Sequence, residues 1–417
     1  MRIRQNLMMA VLLLLTPSLH AQLTLDDCKQ KAHDNYPLVK QYELLNLSRA
    51  YTLDNISKTW LPQVSVTGGT TAYTDILNLP SQAQALAGDT KNWVAGAGVS
   101  VQQQIYDGGQ TTARQQVTRA ETEVSHRSVD VSMYAINDRV EQLFFGILLL
   151  DEQLKQNRLL HQDLGVNERQ VSDLIKGGLA NSTDLDAVKV EEVRCRQNEA
   201  ALMSSRQAYL RMLGYFTGMT LGDSTRLATP VETAEADTAR VAGRPELQWY
   251  AARLSLLDWK RKQLDTRLRP TLGAFGTAMT HTSLSDMMHN SFAAVGLTVN
   301  WNIGALYTRK NDLRQLQTEA DRINVERLTF LFNNRLQSEE TRGKTDGLRR
   351  QLDLDNQAVT LREHIYAKSM TKVKLGTETV NEMLRDAIAV SLARQQQSLH
   401  RIQLLQTIYQ QKNILGQ

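Results

Sequence analysis

Apolar and polar positions along the chain follow two different periods. After Pro62, Val64 and Val66 separate from Gln63, Ser65 and Thr67, and Trp93, Ala95, Ala97, Val99 and Val101 alternate with mostly Gly and polar residues. Further on, Ala293, Val295, Leu297, Val299 and Trp301 alternate with Ala294, Gly296, Thr298, Asn300 and Asn302. Runs of this kind, about 10 residues long, predict strands with one apolar and one polar face. A fourth strand is predicted from Thr271 to Thr280, where the alternation is weakest.

Elsewhere the period is that of a helix. Ile136, Val140, Leu143, Ile147, Leu150 and Leu154 recur at steps of four and three, and Val188, Cys195, Leu202 and Tyr209 recur every seven residues. Val380, Leu384, Ile388, Leu392, Leu399, Ile402, Leu405 and Tyr409 extend the pattern toward the C-terminus. These spacings predict coiled-coil seams. A helix from Thr111 to about Leu164 would run roughly 80 Å. Gly343 and Gly347 interrupt the matching helix of the second half, which is expected to bend or break there.

The patterns occur twice. Pro37 to Pro62 and Pro245 to Pro270 span equal intervals of 25 residues. Ile105-Tyr106-Asp107-Gly108-Gly109 has a counterpart in Trp301-Asn302-Ile303-Gly304. The run from Gly178 to Leu185 likewise has one in the run from Gly376 to Met383. The expected organisation is a first repeat over 22–220, a linker over 221–243 and a second repeat over 244–417. Each repeat would hold a short helix, a strand pair and two long helices.

Composition narrows the setting. Arg2 and Arg4, the apolar run Leu7 to Leu15 and the stretch Pro17 to Ala21 have the layout of a secretory signal peptide, with cleavage expected after Ala21. Leu25-Asp26-Asp27-Cys28 lacks the small residue of a lipobox, so no lipid anchor is expected. The longest later apolar run, Leu143 to Leu150, falls far short of the roughly 20 residues of a membrane-spanning helix. A membrane part would have to be a closed β-barrel. The formal charge of +4 falls to +2 without Arg2 and Arg4, which gives no ground for nucleic acid as a partner. Cys28 and Cys195 could pair in an exported protein, but both are expected to be free.

Four strands cannot close a barrel, so oligomerisation is expected: two copies would supply eight strands around a side-chain-filled interior, and three would supply twelve around a lumen. With its Asn35-Tyr36-Pro37-Leu38 start, Leu61-Pro62-Gln63, Tyr106-Asp107-Gly108-Gly109 and the two Gly178 and Gly376 hairpins, the mature chain resembles the TolC family of outer-membrane efflux proteins. The resemblance implies a mostly α fold with a small β part. It implies a homotrimer in outer-membrane lipid, with a twelve-stranded barrel continuous with a long periplasmic helical coiled-coil barrel. It implies a closed periplasmic tip that docks a periplasmic adaptor protein and, through it, an inner-membrane pump, in efflux or type I secretion. No enzymatic activity and no cofactor are implied.

By the same resemblance, the tip hairpins are Gly178 to Asp186 and Gly376 to Asp386. Glu382, six residues after Gly376, takes the place of a gating carboxylate, while Arg385 stands at the next acidic position of the family pattern. A family cation would fall on Glu378, opposite Asp184, and two acids cannot make that bond. The lock is therefore expected either to involve Lys176, Lys374 or Arg385 or to be weaker. Three copies of Glu382 around one axis are expected to form a cation-favouring constriction with raised carboxylate pKa values. The plainer alternative is a solvated acid at a hairpin tip.

Other signals are weaker. Arg342-Gly343-Lys344-Thr345 resembles the end of a phosphate loop, but Ser338 stands where its first Gly belongs. Met279, His281, Met287, Met288 and His289 lack the spacing of a metal site and read as a solvent-facing loop. Trp93 and Trp301 lie near strand ends, where indole suits a membrane interface. No nucleophile–base pair occurs, so the competing reading is a coiled-coil structural protein of the envelope that forms no pore.

Overall fold

The computed structural model describes residues 22–72, 93–178, 180–232, 241, 243–282 and 291–417. The predicted signal segment, part of the linker and Met287, Met288 and His289 lie outside the described residues. In chain order the elements are α1 (Leu25–Asn35), α2 (Lys40–Ser57), β1 (Gln63–Ala72), β2 (Trp93–Tyr106), α3 (Gln110–Lys176) and α4 (Ser182–Thr217). They continue with α5 (Pro245–Thr266), β3 (Thr271–His281), β4 (Ser291–Asn300), α6 (Ala305–Lys374) and α7 (Val380–Leu415).

Contacts divide the chain into two compact units that cut across its sequence halves. One unit comprises Met1–Val39, Ser132–Arg244 and Phe332–Gln417, and the other Lys40–Val131 and Pro245–Leu331. Both units draw on α3 and α6. α3 has 67 residues and α6 has 70, about 100 Å each.

The expected break at Gly343 and Gly347 does not occur, because α6 runs unbroken through both. Thr341 and Thr345 are buried and bond back to the carbonyls of Gln337 and Thr341, at 2.7 and 3.0 Å. A glycine inside a helix costs about 1 kcal/mol, which the packing of a long helix offsets.

In the first unit the predicted α3 seam is largely buried: Ile136, Val140, Leu143, Ile147 and Leu154 form its core with Phe144 and Phe145. Two seam positions leave the core. Tyr209 and Leu392 are exposed, while Leu210 and Leu213 are buried instead. A strict seven-residue repeat drifts by about 20° per heptad on a straight helix, so a seam read off the sequence rotates out of contact. The Tyr209 ring then lies across Gly146, where an added Cβ would come within 2.5 Å of it.

Cys28 and Cys195 are both buried and free. Burial pushes the Cys28 thiol up to about 12. The segment that follows α4 is held by Arg206, which is 5% exposed. Its guanidinium donates to Asp151 at 2.5 Å and to the carbonyls of Asp223 and Thr225 at 3.2 and 2.8 Å. Leu23 adds a parallel bridge to Leu227.

The second unit holds one antiparallel sheet of order β1-β2-β3-β4, including the weakly patterned β3. The register places Val66, Val99, Ala278 and Ala293 in one row and Val64, Val101, Gly276 and Val295 in the next. Paired residues share a face, so both rows belong to one apolar surface.

Candidate functional site

Two places in the chain can carry function: the hairpin tips of the first unit and the sheet of the second. Each tip is built by the same local chemistry. Gly178 and Gly376 adopt φ of +75° and +70°, the left-handed conformation that ends α3 and α6. Three residues later, Asn181 and Thr379 cap α4 and α7. The Asn181 side chain accepts from the Asp184 backbone at 3.0 Å, and the Asp184 carboxylate accepts from the Asn181 backbone at 3.0 Å. Thr379 and Glu382 make the same reciprocal pair, at 3.2 and 3.0 Å. Asp184 and Glu382 are thus capping acids in equivalent positions.

The same local chemistry sets the surroundings of the acids near each tip. Within one chain the Glu382 carboxylate lies below its ordinary pKa, held there by the Thr379 backbone bond and then by the Thr379 hydroxyl. Glu378 is taken up within its own hairpin. It turns back onto α6, accepting from the Ser369 hydroxyl at 2.5 Å and lying 3.3 Å from the Lys372 ammonium. Lys176 is paired with Asp173 on its own helix. Arg385 is exposed and Asp386 half-buried, and no side-chain bond ties either to the other hairpin among the described residues.

The two hairpins pack through a shared core. Leu164 and Val171 of α3, Val188 and Cys195 of α4, Val373 of α6, and Val380, Met383 and Leu384 of α7 form one buried cluster. Polar links run beside it. The Tyr366 hydroxyl donates to Asn167 Oδ1 at 3.1 Å, and the Gln170 amide to the Met370 carbonyl at 3.3 Å. Arg394 joins Glu363 at 2.7 Å and Asp163 at 4.0 Å. Heptad reasoning found Val188, Cys195, Val380 and Leu384 of this core, and none of these links, because none follows from spacing along a single helix.

The sheet has two unlike faces. On the apolar one Val295 is 89%, Leu297 78% and Val66 76% exposed. The other presents Gln63, Ser65 and Thr67 of β1, Ser100 and Gln102 of β2, Thr277 of β3 and Thr298 of β4, and Ser65 and Ser100 hydroxyls meet at 2.7 Å. Phe275, Met279 and Phe292 are exceptions on that face, and Phe275 lies over Gly296, where a Cβ would come within 2.7 Å of the ring. β1 pairs only with β2 and β4 only with β3, so both outer edges are unpaired among the described residues. The Tyr106-Asp107-Gly108-Gly109 motif turns the chain from β2 into α3. There Asp107 accepts from the backbone of Gly109 at 2.8 Å and of Thr111 at 2.5 Å.

The remaining sequence signals lie elsewhere. Arg342 to Thr345 sits inside α6, with Lys344 paired to Glu340 at 2.6 Å, and not in a loop before a helix. Met279 and His281 end β3, and no group of metal-binding side chains occurs among the described residues. Trp93 and Trp301 are exposed at strand ends. Among the described residues no helix is long and apolar enough to cross a membrane.

No family model matches the sequence, and no curated protein does. Solved structures do. The outer membrane protein VceC from Vibrio cholerae shares 10% identity at a TM-score of 0.66, covering 94% of this chain and 96% of its own. The CmeC outer membrane channel of Campylobacter jejuni shares 13% at 0.63, covering 94% and 85%. The MtrE outer membrane channel of Neisseria gonorrhoeae, solved in its open state, shares 10% at 0.66, covering 94% and 88%. The chain has the fold of these outer-membrane channels.

Proposed function

We propose, from a fold shared with outer-membrane channels, that this chain is one subunit of a trimeric outer-membrane duct of the TolC type. Its four strands, contributed by two tandem repeats, would join those of two further copies into a twelve-stranded barrel. The long helices would stand in the periplasm and dock an adaptor protein and an inner-membrane pump. The pump supplies the energy and the choice of cargo, and the duct supplies a path. No chemical step falls to this chain.

One observation carries the reading: a four-stranded sheet with an exposed apolar face, a polar opposite face and two open edges. In hydrocarbon each unpaired backbone group costs several kcal/mol, so open edges must find partners. Copies of the same chain supply them. The polar face, lined by Ser, Thr and Gln, then borders the lumen. A coiled-coil scaffold has no use for such a sheet.

At the tip, Glu382 of three copies would form a negative constriction. Because Glu382 also caps α7, Glu382→Ala removes charge and cap together, whereas Glu382→Gln keeps the capping geometry and removes only the charge. The purified full chain is expected to migrate as a heat-modifiable oligomer and to conduct ions in planar bilayers. Glu382→Gln is expected to lower its preference for cations. A monomer that stays in the soluble periplasmic fraction without conductance would overturn the duct. Conductance with an unchanged ion preference in Glu382→Gln would remove Glu382 from the gate.

A further inference from the structure

We propose that the helix-side rim of the sheet is a collar that binds the anionic headgroups of phospholipids in the adjoining leaflet. The inference rests on the membrane reading above. It starts from an uneven charge distribution. The ten residues next to each strand on its helical side, 53–62, 107–116, 261–270 and 301–310, hold eight Lys or Arg and three Asp. Their net +5 exceeds the +4 of the whole 417-residue chain. The positive charge of the protein is therefore gathered at one rim.

Much of that charge is not neutralised locally. Lys58 pairs with Asp54 and Arg309 with Asp265, at 2.6 and 2.8 Å. Asp107 is spent on the backbone of Gly109 and Thr111. Arg114, Arg261, Arg267 and Lys310 are exposed and make no ion pair among the described residues.

Aromatic and apolar side chains stand among them. Trp60 is 39%, Trp301 60% and Tyr307 85% exposed, and Tyr106, Leu61, Ile303 and Leu306 are exposed as well. The Trp301 indole donates to the Leu268 carbonyl at 3.0 Å, which fixes it at the end of the apolar face.

Beside β1, β2 and β4 the apolar and aromatic side chains come first and Lys58, Arg114, Arg309 and Lys310 lie farther out, whereas beside β3 Arg267 and Arg269 lie next to the strand. A leaflet has the complementary order of acyl chain, interface and phosphate. A second copy of the chain would bring the same positive collar and no counter-charge. Nucleic acid would find no use for the apolar face that continues into the aromatic ring. A lipid with a negative headgroup satisfies both parts at once.

The test uses the full chain in detergent, with bound lipid read by native mass spectrometry after addition of equal phosphatidylglycerol and phosphatidylcholine. The wild type is expected to retain phosphatidylglycerol over phosphatidylcholine at least tenfold. Each cation near the surface is worth up to about fivefold in that preference. The variant Arg114→Gln/Arg261→Gln/Arg267→Gln/Lys310→Gln should approach parity while its bilayer conductance persists.

Should that variant fail to assemble, Lys310→Gln alone and a salt titration of the wild type give the same reading, since surface charge is screened within about 3 Å at 1 M salt. Equal retention of the two lipids by the wild type, or an undiminished preference in the variants and at high salt, would overturn the collar. A wild type that conducts ions without lipid preference loses only the collar. One that neither inserts nor conducts loses the membrane reading itself.

Discussion

At Gly108 the backbone has φ of +67°, and an added Cβ would come within 2.9 Å of the Arg269 Cβ. Conformation and space both demand glycine where β2 passes into α3. Gly108→Ala is expected to cost about 1–3 kcal/mol and to lower the melting temperature of the detergent-purified protein, read by circular dichroism. An unchanged melting temperature would mean that the turn relaxes without strain.

Some residue-scale detail was legible beforehand. Gly108, Gly178 and Gly376 all stand out by spacing, and the caps are spelled out as Asn181-x-x-Asp184 and Thr379-x-x-Glu382. Those acids carried a family role in the sequence reading, and their local role as caps went unread. The attachment of Glu378 to Ser369 and Lys372 was not legible. It depends on how the chain folds back after Gly376, which no linear spacing encodes.

Among the elements, the long helices were foreseen in kind but not in extent. The heptad rows locate the α3 core from Ile136 to Leu154, yet the glycines at 343 and 347 do not end α6, and Tyr209 and Leu392 fall outside the contact. Helix continuity is set by packing along the whole length, which local propensity does not capture.

The same limit hid Arg206, an ordinary charged residue in sequence that proves to anchor the segment after α4 by a carboxylate and two carbonyls. Arg206→Ala would leave those acceptors without their donor. A loss of about 2–4 kcal/mol is expected. Limited proteolysis would then cut faster between Leu221 and Glu232 than in the wild type. Resistance equal to the wild type would show that the Leu23–Leu227 bridge holds the segment without it.

For the whole molecule, the decisive property is the contrast between the faces of one sheet. The alternation in β4 and the hairpin order were readable from sequence, because each hairpin joins neighbours in the chain. The pairing of β2 with β3 joins distant halves and was not. Val295 and Ala294 are adjacent and point to opposite faces. Val295→Arg on the apolar side is expected to cost about 2–4 kcal/mol in the bilayer and to deplete the heat-modifiable oligomer from the outer-membrane fraction. Ala294→Arg, on the polar side, should leave its abundance intact and alter conductance. Equal abundance of the two variants would contradict the assignment of faces.

The open margins of that sheet also constrain how the protein is made. In the proposed duct a lone copy could not enter lipid and wait for company, since ten residues on each flank would sit in oil with their amides and carbonyls bare. Under that proposal insertion and assembly would be a single collective act, steeply dependent on how many copies are at hand. A defect confined to one flank of one copy would spoil the sound copies that join it.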